Sequence, residues 1–283
     1  MAIANQLKTT ILLAVLTALL LYIGSFWSTS GLIIAGVFVV IMNFAMYFFS
    51  DKIVLMMYKA KEIQEHEDKE LFRIVNEVAH LANVPMPKIY IIPTQQLNAF
   101  ATGRNPRHSA VACTEGIIHS LSKDELKGVI AHEISHVKNR DTLIQVVAGT
   151  IAGIIAFVAS MARWAAIFGG FGGRDRDSSN LIQLIVLAIV APLAATIIQL
   201  AISRSREYLA DETAAKMLHN PYGLASALEK ISASVKHHPL NFGNPSTSTI
   251  FIANPFRSSG ILNLFSTHPP VEKRIQKLKS MIV

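Results

Sequence analysis

Four stretches of the chain are apolar and free of charge: residues 10–26, 32–50, 143–162 and 181–202. Each approaches the roughly 20 helical residues needed to cross a hydrocarbon core. The WSTSG link joins the first two as a hairpin, and FGGFGGRDRDSSN between the last two suits a turn outside a bilayer. Lys8 ahead of the first run mimics the basic start of a secretory signal. No convincing cleavage site follows, however, and the second run comes within a few residues, so the first reads as an uncleaved span. The second pair contains Gly, Ala and Gln, which also suits buried core helices of a soluble domain.

The intervening chain alternates helical and β patterns. Residues 51–84 read mostly as helix, with Leu71, Ile74, Val75, Val78 and Leu81 at helical spacing, ended by Pro85 and Pro87. PKIYIIPT (87–94) and HSAVACT (108–114) are short β-rich runs, and NAFATGRNPR between them carries the turn residues Gly103 and Pro106. They predict a small sheet, either an ordinary hairpin or one whose open edge accepts an extended peptide. Ser122 to Ile144 reads as a single helix entering the third apolar run, opened by a capping box between Ser122 and Glu125. Ser203 to Leu218 continues the fourth run as a charged helix that NPYG ends, and LASALEKISASV follows as another helix. Residues 237–264 predict a long mobile loop, and THPP opens a last helix, VEKRIQKLKSMI.

Composition agrees with a membrane protein: 51% of the 283 residues are hydrophobic and 16% charged, where a soluble domain carries about a quarter charged. Cys113 is the single cysteine, which excludes an internal disulfide framework. The net charge of +7 comes without a basic stripe interleaved with aromatics, so nucleic acid is not expected as a partner. With four spans, residues 1–9, 51–142 and 203–283 share one side of the bilayer. They hold every Lys and Arg except Arg163, Arg174 and Arg176. The excess of positive charge places that side in the cytoplasm.

The chemistry sits in HEISH. On a helix His132 and His136 share a face, and Glu133 is turned by about 100° toward the outer side of an ion they would bind. A catalytic zinc takes three protein ligands and keeps one position open. His80, His108, His119, His237, His238, His268 and several carboxylates are candidates for the third. If the last two apolar runs are antiparallel neighbours, Glu207 stands at nearly the height of His136, and Asp211 one turn later can accept from the second nitrogen of a ligand histidine. The alternative for Glu207 is a solvated carboxylate paired with Arg204 or Arg206. A transporter would need ionisable residues inside the spans, which hold nothing more polar than Asn43, Gln183 and Gln199. A non-catalytic scaffold would be expected to lack Glu133 or a ligand.

Together, HEISHVKNRD (132–141), NAFATG (98–103), SRSREYLAD (203–211) and STHPP (266–270) resemble the HtpX membrane zinc metalloproteases of peptidase family M48, relatives of the Ste24 CAAX prenyl proteases. The resemblance implies a mainly α integral membrane protein, with about four transmembrane helices and a cytoplasmic gluzincin-type α+β metalloprotease domain. It implies His132, His136 and Glu207 as ligands of one Zn2+ per chain and Glu133 as the catalytic glutamate. Asn139 and Asp141 match the extended helix motif, Arg204 and Asp211 would support the site, and His268 would approach it from the C-terminal side. Asn98, Ala99, Phe100, Ala101, Thr102 and Gly103 would border the substrate cleft. The expected organisation is a membrane hairpin (1–50), a first protease segment (51–142), a second hairpin (143–202) and a second protease segment (203–283). The implied setting is a bacterial cytoplasmic (inner) membrane, crossed several times. The implied substrates are membrane proteins or unfolded polypeptides, cleaved in quality control alongside other membrane proteases. A prenylated peptide substrate is the remaining variant of this reading.

Overall fold

The computed structural model describes residues 28–147, 204–237, 251–252 and 269–282, with scattered positions between 7 and 21. The third and fourth apolar runs beyond residue 147, the Gly-rich link and His268 lie outside the described residues, as does the side chain of Arg204.

Helix α1 (Ser28–Met57) contains the second apolar run. Its segment Leu32–Met57 is long and apolar enough to cross a membrane, the one such helix among the described residues. Ile33, Ile34, Val37, Phe38, Val40, Ile41 and Phe44 stand exposed along it, as a lipid-facing surface would. The described positions of the first run are helical, and Asn43 Nδ2 donates to Thr17 Oγ1 at 2.8 Å. A polar contact of this kind joins neighbouring helices where water is absent.

The lower end of α1 is anchored in the sheet. Strands β1 (Lys61–Glu62), β2 (Lys88–Ile92), β3 (Ala99–Asn105) and β4 (His108–Thr114) form a sheet of order β1-β2-β4-β3. β2 runs parallel to β4, and β3 runs antiparallel to it. Alternation along a strand gives the sheet two faces. Ala99, Ala101, Val111 and Cys113 belong to the main helical core, whereas Phe100, Ala110 and Ala112 pack with Val54, Tyr58, Val146 and Phe251. The Tyr58, Phe100 and Phe251 rings meet at centroid distances of 4.8–5.8 Å.

Two strands differ from expectation. The link NAFATGRNPR is mostly strand: Ala99–Asn105 form β3, because small residues fit a closely packed edge, while the turn shrinks to Pro106 and Arg107. β1 interrupts the stretch read as helix: Lys59 adopts a positive φ, ending α1 and turning the chain into the sheet. The loop expected to be mobile is pinned at one point, since Phe251 and Ile252 are buried and the Ile252 amide donates to Ala99 O at 3.2 Å.

Helices α2 (Lys69–Ala82), α3 (Glu115–Ser120), α4 (Lys123–Asn139), α5 (Arg204–Leu218), α6 (Pro221–His237) and α7 (Val271–Lys279) pack around this sheet and one another. α4 carries HEISH and is the central helix, packed against α2, α5, α6 and β3. Its capping box is present: Ser122 Oγ accepts from the Glu125 amide at 3.4 Å, and Glu125 Oε2 accepts from the Ser122 amide at 2.7 Å. Glu125 also accepts from Ser226 Oγ at 2.6 Å and Lys230 Nζ at 2.8 Å. Burial opposes the charge, but the Lys230 contact and the two serines outweigh it and hold this carboxyl at about 2. A depressed pKa contributes stability above the ordinary carboxyl value, and that contribution is lost as pH falls from about 4.5 toward 2. Melting temperatures between pH 5 and 3 are therefore expected to fall more steeply for the wild type than for Glu125→Gln.

Close approach of α4 to α6 depends on Gly128, where an added Cβ would lie 2.8 Å from the Leu224 amide nitrogen. Gly128→Val should destabilise the fold by about 1–3 kcal/mol, read as a lower midpoint in thermal unfolding.

Candidate metal centre

α4 does not run into the third apolar segment as one helix. Arg140 takes the left-handed conformation (φ 57°, ψ 37°), its amide donating to His136 O and Val137 O, and residues 141–147 begin a new helical stretch. The break serves the site. It lets the Asp141 carboxylate fold back to His136 Nδ1 at 3.1 Å, while Thr142 Oγ1 donates to Gly103 O at 2.8 Å.

His132, Glu133, His136 and Glu207 are all buried, with Glu207 brought against α4 by the first turn of α5. The alternative of a solvated Glu207 is thereby excluded. His132 Nε2 and His136 Nε2 lie 3.2 Å apart. Glu207 Oε1 is 3.5 Å from the second and Oε2 is 3.7 Å from the first. These three side chains can place ligand atoms within 4.8 Å of one another.

The tautomers follow from the partners. His132 Nδ1 lies 2.9 Å from Asp211 Oδ1, and His136 Nδ1 meets Asp141; donation from both leaves each Nε2 with its lone pair aimed at the centre. Two lone pairs facing each other beside a carboxylate repel unless a cation lies between them. A separation of 3.2 Å lets both nitrogens reach one zinc ion at about 2.0–2.1 Å. The donor set and its spacing therefore fit such an ion.

Each histidine's carboxylate has an arginine behind it. Arg274, fully buried on α7, donates to Asp211 through Nε at 2.8 Å and Nη2 at 2.7 Å, and to Ile252 O through Nη1 at 2.9 Å. Arg206 Nε lies 3.9 Å from Asp141 Oδ1. Burial opposes charge on Asp211, but Arg274 prevails and holds its pKa below the carboxylate range. Burial lowers the His132 pKa, as does Arg274, with Asp211 opposing. Burial again lowers the His136 pKa, but Asp141 and Glu207 raise it to about 9, so an ion bound at Nε2 would displace a proton there. Burial pushes Glu133 up to about 8, partly offset by His136 and by the Ala101 amide, which donates to its Oε2 at 2.9 Å.

A profile of peptidase family M48 matches residues 65–282. The chain belongs to peptidase family M48. Within it, the chain is 52% identical over 282 residues to the protease HtpX homolog of Pyrococcus furiosus, covering 99% of this chain and 97% of the relative. It is 50% identical over 282 residues to that of Syntrophobacter fumaroxidans, covering 98% and 99%. The crystal structure of S. mikatae Ste24p superposes with a TM-score of 0.52 at 20% identity. That match covers 98% of this chain and 66% of Ste24p, and it speaks for the fold.

Among the other M48 positions singled out from sequence, Asp211 supports His132 as described. Asn139 is half-buried at the last turn of α4, and Arg204 opens α5. Asn98 and the segment Ala99, Phe100, Ala101, Thr102 and Gly103 are buried, and β3 is the edge of the sheet. Ala99 O, Ala101 N and Gly103 O are already engaged by Ile252, Glu133 and Thr142. Arg274 was missed. Its signal was its place on the amphipathic last helix, where it shares a face with Val271 and Leu278 in a position that periodicity assigns to an apolar residue.

Proposed function

We propose that the chain is a zinc-dependent, membrane-bound endopeptidase that hydrolyses internal peptide bonds of misfolded or damaged membrane proteins from the cytoplasmic side, in protein quality control. The observation that carries this reading is the meeting of three buried ligand groups with Glu133 beside an edge strand. His132, His136 and Glu207 would hold the ion. When bound, zinc supplies Lewis acidity, polarising the scissile carbonyl and lowering the pKa of a water.

The chain's own residues do the rest. Glu133 accepts the proton of the attacking water and returns it to the departing amine. The Ala101 amide fixes the carboxylate for this task through Oε2. Asp141 and Asp211 keep the histidines in the tautomer that presents Nε2. Asn139, Arg204 and His268 remain candidate supports, and residues 98–103 are the candidate border of the substrate cleft. An extended polypeptide laid beside Glu133 would bring its scissile bond to that carboxylate, and recognition through the substrate backbone tolerates varied sequences.

The membrane reading combines α1 with the other three apolar runs as about four spans. Residues 1–50 and 143–202 form hairpins, and 51–142 and 203–283 form the cytoplasmic protease domain. The charge distribution supports this orientation in the cytoplasmic membrane of a bacterium, although the relatives include archaeal proteins. Substrates would be membrane or unfolded polypeptides, with other membrane proteases acting alongside.

The test is metal removal from the purified full chain. Cleavage of an unfolded protein should vanish after chelation and return with one equivalent of zinc. Retained cleavage in metal-free protein, or full zinc binding in a His136→Ala/Glu207→Ala variant, would overturn the assignment.

A further inference from the structure

A second concave site lies where α1 leaves the protease fold. A pocket of about 300 Å³ is bordered by Thr10, Tyr47, Arg104, Asn105, Arg140 and Leu143, among others. No carboxylate lines it. Arg104 extends from the end of β3 with its guanidinium 5.1 Å from the centre of the Phe48 ring, a cation–π placement that keeps it at the helix surface. Arg140 enters from the left-handed turn after α4. Both side chains are half-buried, and neither forms an ion pair with any described residue.

The surroundings identify the solvent on the open side. Tyr47, Phe44, Phe48 and Phe49 are exposed on α1, and the same helix displays its apolar face above them. Aromatic residues of this kind mark the boundary between headgroups and hydrocarbon. Two arginines lining one pocket at that level, on the side assigned to the cytoplasm, match a phosphate carried on an acyl-chain lipid. Basic pockets beside membrane helices bind anionic headgroups for this reason, and guanidinium forks suit phosphate oxygens.

We propose that the Arg104–Arg140 pocket binds the headgroup phosphate of an anionic phospholipid, with its acyl chains lying along the exposed Phe44 and Phe48 face of α1. The bound phosphate would bridge two elements that reach the metal centre. Arg104 lies on the strand whose Ala101 amide holds Glu133, and Arg140 directly precedes Asp141, which holds His136. Thr142 already joins these elements through Gly103 O. The lipid would thus clamp the turn that supports the site. This goes beyond the proteolytic reading, and its test does not depend on hydrolysis.

The test is thermal unfolding of the full chain in a neutral detergent, with a short-chain phosphatidylglycerol, a phosphatidylcholine of equal chain length, or inorganic phosphate at the same concentration. Phosphatidylglycerol at tenfold its Kd should raise the midpoint by about 2–3 °C, and the other two by less than half as much. Arg104→Gln/Arg140→Gln should lose this increment, whereas Lys69→Gln/Lys273→Gln, with the same change of charge away from the pocket, should keep it. No increment, an equal one from phosphatidylcholine or inorganic phosphate, or loss of it in the lysine variant would overturn the proposal. So would its retention in the arginine variant. If that double variant does not fold, the single variants carry the comparison, and a full increment in both would sink the idea.

Discussion

Glu133→Gln is expected to lower kcat on an unfolded protein substrate by about 10²–10⁴-fold while leaving one zinc per chain, a magnitude typical of lost general acid–base catalysis. The substitution is conservative in shape. An amide oxygen can still accept from the Ala101 N–H that now meets Glu133 Oε2 at 2.9 Å, so the side chain stays in place. What disappears is the ability to take up and return a proton. Because the loss falls on the chemical step, kcat and kcat/KM should drop together. Zinc content and melting temperature separate this outcome from unfolding or loss of metal. Undiminished turnover would remove Glu133 from the mechanism.

The parts that periodicity and caps control were legible in advance. Ser122 with Glu125 marked the start of α4, and the 3.6-residue spacing in 71–78 marked α2. The metal constellation was legible because its two histidines share one helix face. Glu207 followed from treating the flanking apolar runs as a hairpin, although those runs lie largely outside the described residues. β3 was less legible because Gly103 and the polar residues around it speak for a turn, and only packing of Phe100 on Tyr58 and of Ala101 beside Glu133 makes the segment a strand. The break at Arg140 was hidden for a related reason. A left-handed arginine carries no propensity signal, and it is held there by the contact of Asp141 back to His136 and the bond of Thr142 to distant Gly103. Arg274 shows the limit most clearly: its charge is meaningful only beside Asp211, 63 positions earlier.

Arg274→Met should cost about 3–5 kcal/mol of stability, the range for breaking a buried ion pair from one side, and weaken zinc binding by about 10–100-fold. The guanidinium is fully buried and satisfies both oxygens of Asp211, with Nη1 also 3.7 Å from Glu207 Oε2. Without it, two carboxylates remain in the same buried region with less positive charge to offset them, and Asp211 loses the contacts that aim it at His132. Arg274→Lys should recover little, because one ammonium cannot reproduce the two-pronged contact. Competition for zinc against a chromophoric chelator reads the binding effect, and thermal unfolding of the metal-free protein reads the stability effect. Asp211→Asn/Arg274→Met provides the decisive comparison. Removing both charges leaves neither one orphaned, so the double variant should be less damaged in stability than the sum of its single changes. Strict additivity would show that the pair acts independently and that Arg274 does not position His132 through Asp211.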